Sequence, residues 1–346
     1  MTTKHPGSAA SVTWKRVAGG LIGLLLLGGA VFVLHAELRQ HSLAEILSEL
    51  RSLPRLRIVL SLAATILGYL AFAGYDAVAL AYLDRRLPFR YTAYAAFLGY
   101  AFANSLPLSV VTGASVRYRL YSQWGIARGE AAQVMTLNTI TYLVGLLATA
   151  GIAFALQPVL VPGFLRLPLA TARPLGILCI LLVATYLLWS TREGGPLKLW
   201  RWELPRPTLK RALAQLGVSA ADWVFSGVAL YVLLPHVVPF HVFFAVFLLG
   251  QIAALVAQVP AGLGVFEAVM LWSLAPAISA PAMLVGLAGY RVIYFLLPLL
   301  LATAAWAVTE VRQWARRHGE VGKSATGATK TSTRAAARAA ASSAGD

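Results

Sequence analysis

The amino-acid sequence predicts an all-α polytopic membrane protein, with about six spanning helices and two re-entrant helical hairpins arranged as an inverted repeat. Three observations predict it. First, 59% of the residues are hydrophobic and 12% charged, whereas a soluble domain carries about 25% charged residues. Second, apolar runs recur from Val17 to Val311, several of them near the ~20 residues that cross a bilayer as a helix. Third, two of these runs are broken by small-residue turns, at Thr112-Gly113-Ala114-Ser115 and at Pro260-Ala261-Gly262-Leu263-Gly264. Each turn leads into a helix that carries charge.

The elements follow in order. Residues 1–16, with Lys4, Lys15 and Arg16, form a cytoplasmic N-terminus. Val17–Ala36 spans, and no convincing small-residue cleavage site closes it, so it reads as a retained helix. Ser42-Leu43-Ala44-Glu45 has capping-box spacing. Leu43, Ile46, Leu47 and Leu50 then share a face up to Pro54, which fits an interfacial amphipathic helix or a solvated connector equally well. Ile58–Leu83 spans and holds Tyr75-Asp76. After Asp84–Pro88, Tyr91–Val111 is apolar but contains Asn104 and Pro107, and Thr112–Tyr121 runs on to Trp124-Gly125. Ala131–Leu156 and Pro174–Ser190 span, separated by a loop with Pro158 and Pro162. A basic loop holds Arg192, Lys198, Arg201, Arg206, Lys210 and Arg211. Leu213–Leu234 spans and carries Asp222. Phe240–Val259 breaks at Pro260–Gly264 and resumes to Ala275, and Met283–Val311 is the last span, with Arg291. Residues 17–311 thus form the membrane domain, in halves of about 17–156 and 174–311, and 312–346 is a basic cytoplasmic tail without apolar pattern, expected to be disordered. Tryptophans and tyrosines fall mostly near helix ends, as interface anchors do.

Basic residues decide the topology. If Tyr91–Trp124 enters and leaves by the cytoplasmic side and Phe240–Ala275 does so from the other side, 22 of the 29 Lys and Arg residues are cytoplasmic. If Tyr91–Val111 crosses outright, with both arms after Phe240, only 8 are. The positive-inside rule selects the first layout, with both termini cytoplasmic. Each half then makes an odd number of crossings, so the second half is inverted. Short echoes at a common offset agree, among them Val78-Ala79-Leu80 with Val228-Ala229-Leu230 and Leu98-Gly99 with Leu249-Gly250. Inverted repeats with broken helices meeting at midplane are the architecture of alternating-access transporters.

The net charge of +16 lies in short loops and the tail, so it describes topology and indicates no nucleic-acid partner. The single cysteine, Cys179, excludes a disulfide framework and a thiolate metal site. No metal, cofactor or catalytic triad is expected. Irregular backbone at membrane depth persists only when buried or lining a wet cavity, so the turns at Gly113 and at Gly262 and Gly264 should flank one. A helix starting after Gly113 would direct its positive end, with the Ser115 hydroxyl, at an anion such as a phosphate. Arg117 and Arg119 diverge around that helix, and Arg117, nearer the turn, is the better candidate for bidentate phosphate binding. The alternative is that both arginines only snorkel and fix topology. Asp76, Asp222, Glu267 and Arg291 are the other intramembrane charges, costly enough to imply a role. Asp76 or Glu267 would meet a cationic headgroup, pair with Arg117 or Arg291, or carry a coupling proton. Pairs that merely lock helices fit the same residues. Asp222 lies nearer an interface and is the weakest of the four.

Gly74-Tyr75-Asp76, Leu98-Gly99-Tyr100-Ala101-Phe102, the run Gly113–Tyr121 and Pro260–Ala268 resemble the flippase half of bacterial multiple peptide resistance factor proteins, in the lysylphosphatidylglycerol synthase transmembrane region family. The resemblance covers about Val17 to Val311. It implies a protein of the bacterial inner membrane that translocates anionic or aminoacylated phosphatidylglycerol between leaflets, with the family's motif acids and arginine at Asp76, Arg117 and Glu267. Full-length relatives continue into a domain that transfers the amino acid from tRNA. This chain is expected to lack that enzymatic activity, so a lipid-synthesising partner would supply the lipid, or another phospholipid or an isoprenoid lipid would be moved. Homo-oligomers are compatible with the sequence. Two other functions compete: a non-transporting accessory subunit of a lipid-modifying enzyme, and an ion-coupled transporter of small solutes.

Overall fold

The computed structural model describes residues 53–105, 109–157, 159–163, 169–192, 197–199, 202–204, 206–257 and 264–312. The predicted span Val17–Ala36, the segment from Ser42 to Arg51, Gly262 and the tail after Arg312 lie outside them. The described helices are α1 (Arg55–Tyr82), α2 (Phe89–Ser105), α3 (Ser109–Gln123), α4 (Arg128–Leu156), α5 (Arg173–Thr191), α6 (Leu209–Tyr231), α7 (Phe240–Ala257), α8 (Val265–Leu274) and α9 (Ala280–Tyr290), the last running into a π-helical stretch, Arg291–Leu296. The chain is an all-α polytopic membrane protein. Among the described residues five helical segments are long and apolar enough to cross a bilayer: α1, α4, α5, α6 and Ala282–Arg312. They match five of the six predicted spans.

Local chemistry sets the helix ends. α4 starts where Glu130, its third residue, accepts the Ala127 N–H at 3.0 Å, and α6 starts at Thr208, whose Oγ1 accepts the Arg211 N–H at 3.4 Å. α5 opens with Pro174 in its first turn, where a missing N–H costs nothing. α2 ends at Ser105, ahead of Pro107, because a proline restricts the residue before it. The predicted turn at Gly113 needs correcting. α3 begins at Ser109, so Gly113 and Ser115 are helical. The predicted basic loop holds an unexpected antiparallel hairpin, β1 (Leu197–Leu199) with β2 (Trp202–Leu204).

Up to Leu300 the chain packs as one unit. α1 lies along α6 and also contacts α2 and α4, while α4 is flanked by α5, α6 and α7. α2 packs against α3, and α7 against α8. The core is aromatic around α7, where Phe240, Phe243, Phe244 and Phe247 stack in sequence. α5 is the opposite case. Ile177, Leu178, Ile180, Leu181, Leu182 and Leu188 are all exposed, the surface that hydrocarbon covers in a spanning helix.

Candidate functional site

Asp76, on the buried side of α1, is 0% exposed. A carboxylate there needs compensation from neighbours, and three side chains from two helices supply it. Arg117 of α3 donates through Nε to Oδ2 at 3.1 Å, Tyr121, one turn further along α3, donates to the same oxygen at 2.5 Å, and Asn138 of α4 donates through Nδ2 to Oδ1. The Arg117 guanidinium also lies over the Tyr100 ring of α2, 4.0 Å from its centroid. It occupies the space left by Gly99, where a Cβ would sit 2.7 Å from Cζ. Gly113 has a related task, since a Cβ there would lie 2.7 Å from the Gly99 carbonyl oxygen. The two glycines let α2 and α3 approach until the guanidinium is clamped between ring and carboxylate. Arg117 is 5% exposed. Among the described residues its Nη2 has no hydrogen-bond partner, and neither has Asn138 Oδ1 beside Asp76. One donor and one acceptor in this cluster are therefore unused, which is uncommon for buried polar atoms.

Arg119 is half-buried and roughly 200° around α3 from Arg117. Glu267 lies in the first turn of α8. Its Oε2 accepts the Gly264 N–H at 2.8 Å, and its Oε1 accepts Arg291 Nε at 3.0 Å and Arg291 Nη2. Gly264 has φ +84°, a left-handed value natural to glycine. Arg291 is the first residue of the π-helical stretch, a feature concentrated at functional positions. The structure thus holds two arginine–carboxylate pairs, Asp76–Arg117 and Glu267–Arg291.

A file of rings runs between the two pairs. Tyr100 stacks on Phe72 with centroids 3.7 Å apart, Phe72 meets Tyr69 at 5.7 Å, Tyr69 meets Tyr294 at 6.0 Å, and Tyr294 meets Phe295 at 5.3 Å. The Arg291 guanidinium lies 5.5 Å from the Phe295 centroid. Tyr69 and Tyr294 are buried core residues, and Tyr100 is partly buried.

Asp222, about midway along α6, is only 3% exposed. Tyr75, next to Asp76, donates to Asp222 Oδ2 at 2.9 Å and shares a hydrogen bond with Ser219 Oγ at 2.7 Å. Among the described residues no arginine or lysine pairs with Asp222, and the Tyr75 hydroxyl is its hydrogen-bond donor. A further knot centres on Gln215 of α6, which accepts from Tyr82 at 2.9 Å and Tyr186 at 2.5 Å and donates to Thr141 at 2.8 Å. Tyr75, Tyr100, Tyr121 and Asn138 were not singled out from the sequence as separate site residues. The intramembrane position of Asn138, two turns into an apolar run, was the one signal that pointed to it.

The fold and these buried charges define a helical, multi-pass membrane protein with an arginine–carboxylate centre inside the bundle. The chain belongs to the lysylphosphatidylglycerol synthase TM region family, whose sequence profile matches residues 20–302. It is 34% identical over 304 residues to the uncharacterized protein slr0712 of Synechocystis sp., covering 87% of this chain and 94% of that protein. It is 29% identical over 313 residues to the inner membrane protein YbhN of Escherichia coli, covering 90% and 96%. A 107-residue stretch is 33% identical to the phosphatidylglycerol lysyltransferase of Staphylococcus xylosus, covering 30% of this chain and 13% of that enzyme.

Proposed function

We propose that the protein translocates a phospholipid headgroup, anionic or aminoacylated, between the leaflets of a bacterial inner membrane. The observation that carries this reading is the Arg117 guanidinium: buried, clamped by Asp76 and Tyr100, and holding an unused Nη2. A guanidinium fork is suited to phosphate, and the unused Asn138 Oδ1 would accept from a headgroup hydroxyl or ammonium. The relation to a phosphatidylglycerol lysyltransferase and to an inner membrane protein supports both the lipid and the location. The hairpins α2–α3 and α7–α8 are read as re-entrant from opposite sides, within an inverted repeat. α8, with 10 residues, is about 15 Å long, half the ~30 Å of a hydrocarbon core.

The test is reconstitution in liposomes with fluorescent phosphatidylglycerol and lysylphosphatidylglycerol. Arg117→Lys keeps a cation for Asp76 and removes the fork. A well-folded Lys variant with at least tenfold slower translocation is expected, and translocation at the wild-type rate would sink the reading. A second reading, a non-transporting accessory subunit, is favoured by one observation: both intramembrane arginines already have carboxylate partners, as helix locks would. It requires that wild-type liposomes show no translocation and that Arg117→Lys leave the activity of the partner enzyme intact.

A further inference from the structure

The corner where α1 ends and α2 begins contains a pocket of about 560 Å³ lined by Ala77, Leu80, Ala81, Asp84, Arg85, Arg86, Leu87, Phe89 and Thr92. That volume is in the range of small-ligand sites. Ala77, Leu80 and Ala81 line it with small or apolar side chains, and Phe89 is 59% exposed. Its rim is charged. The carboxylate of Asp84 is bound from outside by Arg211 of α6 at 3.3 Å, and Arg85 is held by Glu130 of α4 at 2.8 Å. Arg86 is exposed and makes no ion pair or hydrogen bond among the described residues. The pocket's acid is therefore offset, one arginine is engaged, and one guanidinium is available beside an apolar wall. This lining suits an amphiphile with a phosphate at the level of the rim and glycerol and first methylenes against Ala77, Leu80 and Phe89. The position agrees, because α1 is a spanning helix and its end belongs at the headgroup level. The positive-inside count puts that end on the cytoplasmic side.

We infer that this pocket is a docking site for the phosphate of an anionic phospholipid of the cytoplasmic leaflet, with Arg86 as its anchoring cation. The inference rests on the lipid reading above and gives it a point of entry. Ala77, in the wall, directly follows Asp76, so one turn of α1 presents the pocket on one side and the Arg117 centre on another.

The test uses the full chain in detergent, with Phe89→Cys carrying an environment-sensitive dye in a Cys179→Ala background. Short-chain phosphatidylglycerol, phosphatidylcholine, diacylglycerol and inorganic phosphate are titrated separately. Phosphatidylglycerol is expected to move the dye signal at the lowest concentration, with Arg86→Ala weakening it about fivefold and Arg86→Glu more. Unchanged binding in Arg86→Glu overturns the inference. So does inorganic phosphate competing at the same concentration, which marks a free-anion site, or diacylglycerol binding equally well, which marks a plain apolar crevice. Translocation by Arg117→Lys, measured on the same preparations, separates the two readings. Lipid binding lost in Arg86→Glu, with Arg117→Lys transporting normally, leaves the pocket standing without the transport centre. The reverse result leaves the transport centre without the pocket.

Discussion

Arg117 occupies a position where each neighbour constrains it differently. Asp76 fixes its charge, Tyr100 its plane, and Gly99 the space it fills. Removing the guanidinium outright leaves Asp76 buried with two neutral donors, and breaking a buried pair costs about 3–5 kcal/mol. Arg117→Ala is therefore expected to lower thermal stability sharply, so its inactivity would say little about transport. Gly99→Ala is more informative. Its methyl group would lie 2.7 Å from Arg117 Cζ, displacing the guanidinium while both charges remain. Translocation is expected to fall with only a small change in melting temperature. A variant that melts like wild type and also transports like it would remove Gly99 from the mechanism. Tyr75→Phe tests the second buried acid. It deletes the tyrosine hydroxyl bonded to Asp222, at an expected cost of about 1–3 kcal/mol, measurable by thermal unfolding in detergent.

Among the elements, the spans were legible and the contacts between them were not. Apolar length alone placed Ile58–Leu83 on α1 (Arg55–Tyr82) and Ala131–Leu156 on α4 (Arg128–Leu156), because bilayer thickness leaves little freedom in how long such a run is. Gly113 was misread because a glycine between apolar runs has two uses. A turn requires its backbone freedom, whereas α3 uses its missing side chain to approach Gly99. The Tyr121 and Asn138 bonds to Asp76 join residues 45 and 62 positions apart, and no local spacing records that. Glu267 was legible as a charge at a turn, and the structure adds that it caps α8 through the Gly264 N–H. At Gly264 a Cβ would meet nothing within 4 Å, so only the backbone opposes a side chain. Gly264→Ala is expected to cost about 1–2 kcal/mol and to loosen α8 ahead of Glu267, seen as faster hydrogen exchange in residues 265–268 than in the rest of α8. Uniform exchange along α8 would refute this.

At the scale of the whole molecule, the proposed re-entrant hairpins set the expected topology. Single cysteines at Arg128 and Arg192 should react from the cytoplasm in a Cys179→Ala background, and those at Gly163, Val237 and Ser279 from outside. All five positions are exposed, so labelling reports sidedness directly. Val237 and Ser279 on opposite faces would show that one arm of the α7–α8 pair crosses alone. Within the bundle, α1 is the common member: it contacts α2, α4 and α6 and contributes to both buried acid clusters. Tyr75 holds Asp222 of α6, and its chain neighbour Asp76 holds α3 and α4. Consecutive side chains project about 100° apart around a helix, so this single peptide step works as a crank. Any twist of α1 about its own axis swings both arms together, and the grip on α6 cannot be loosened without also tugging at the opposite one.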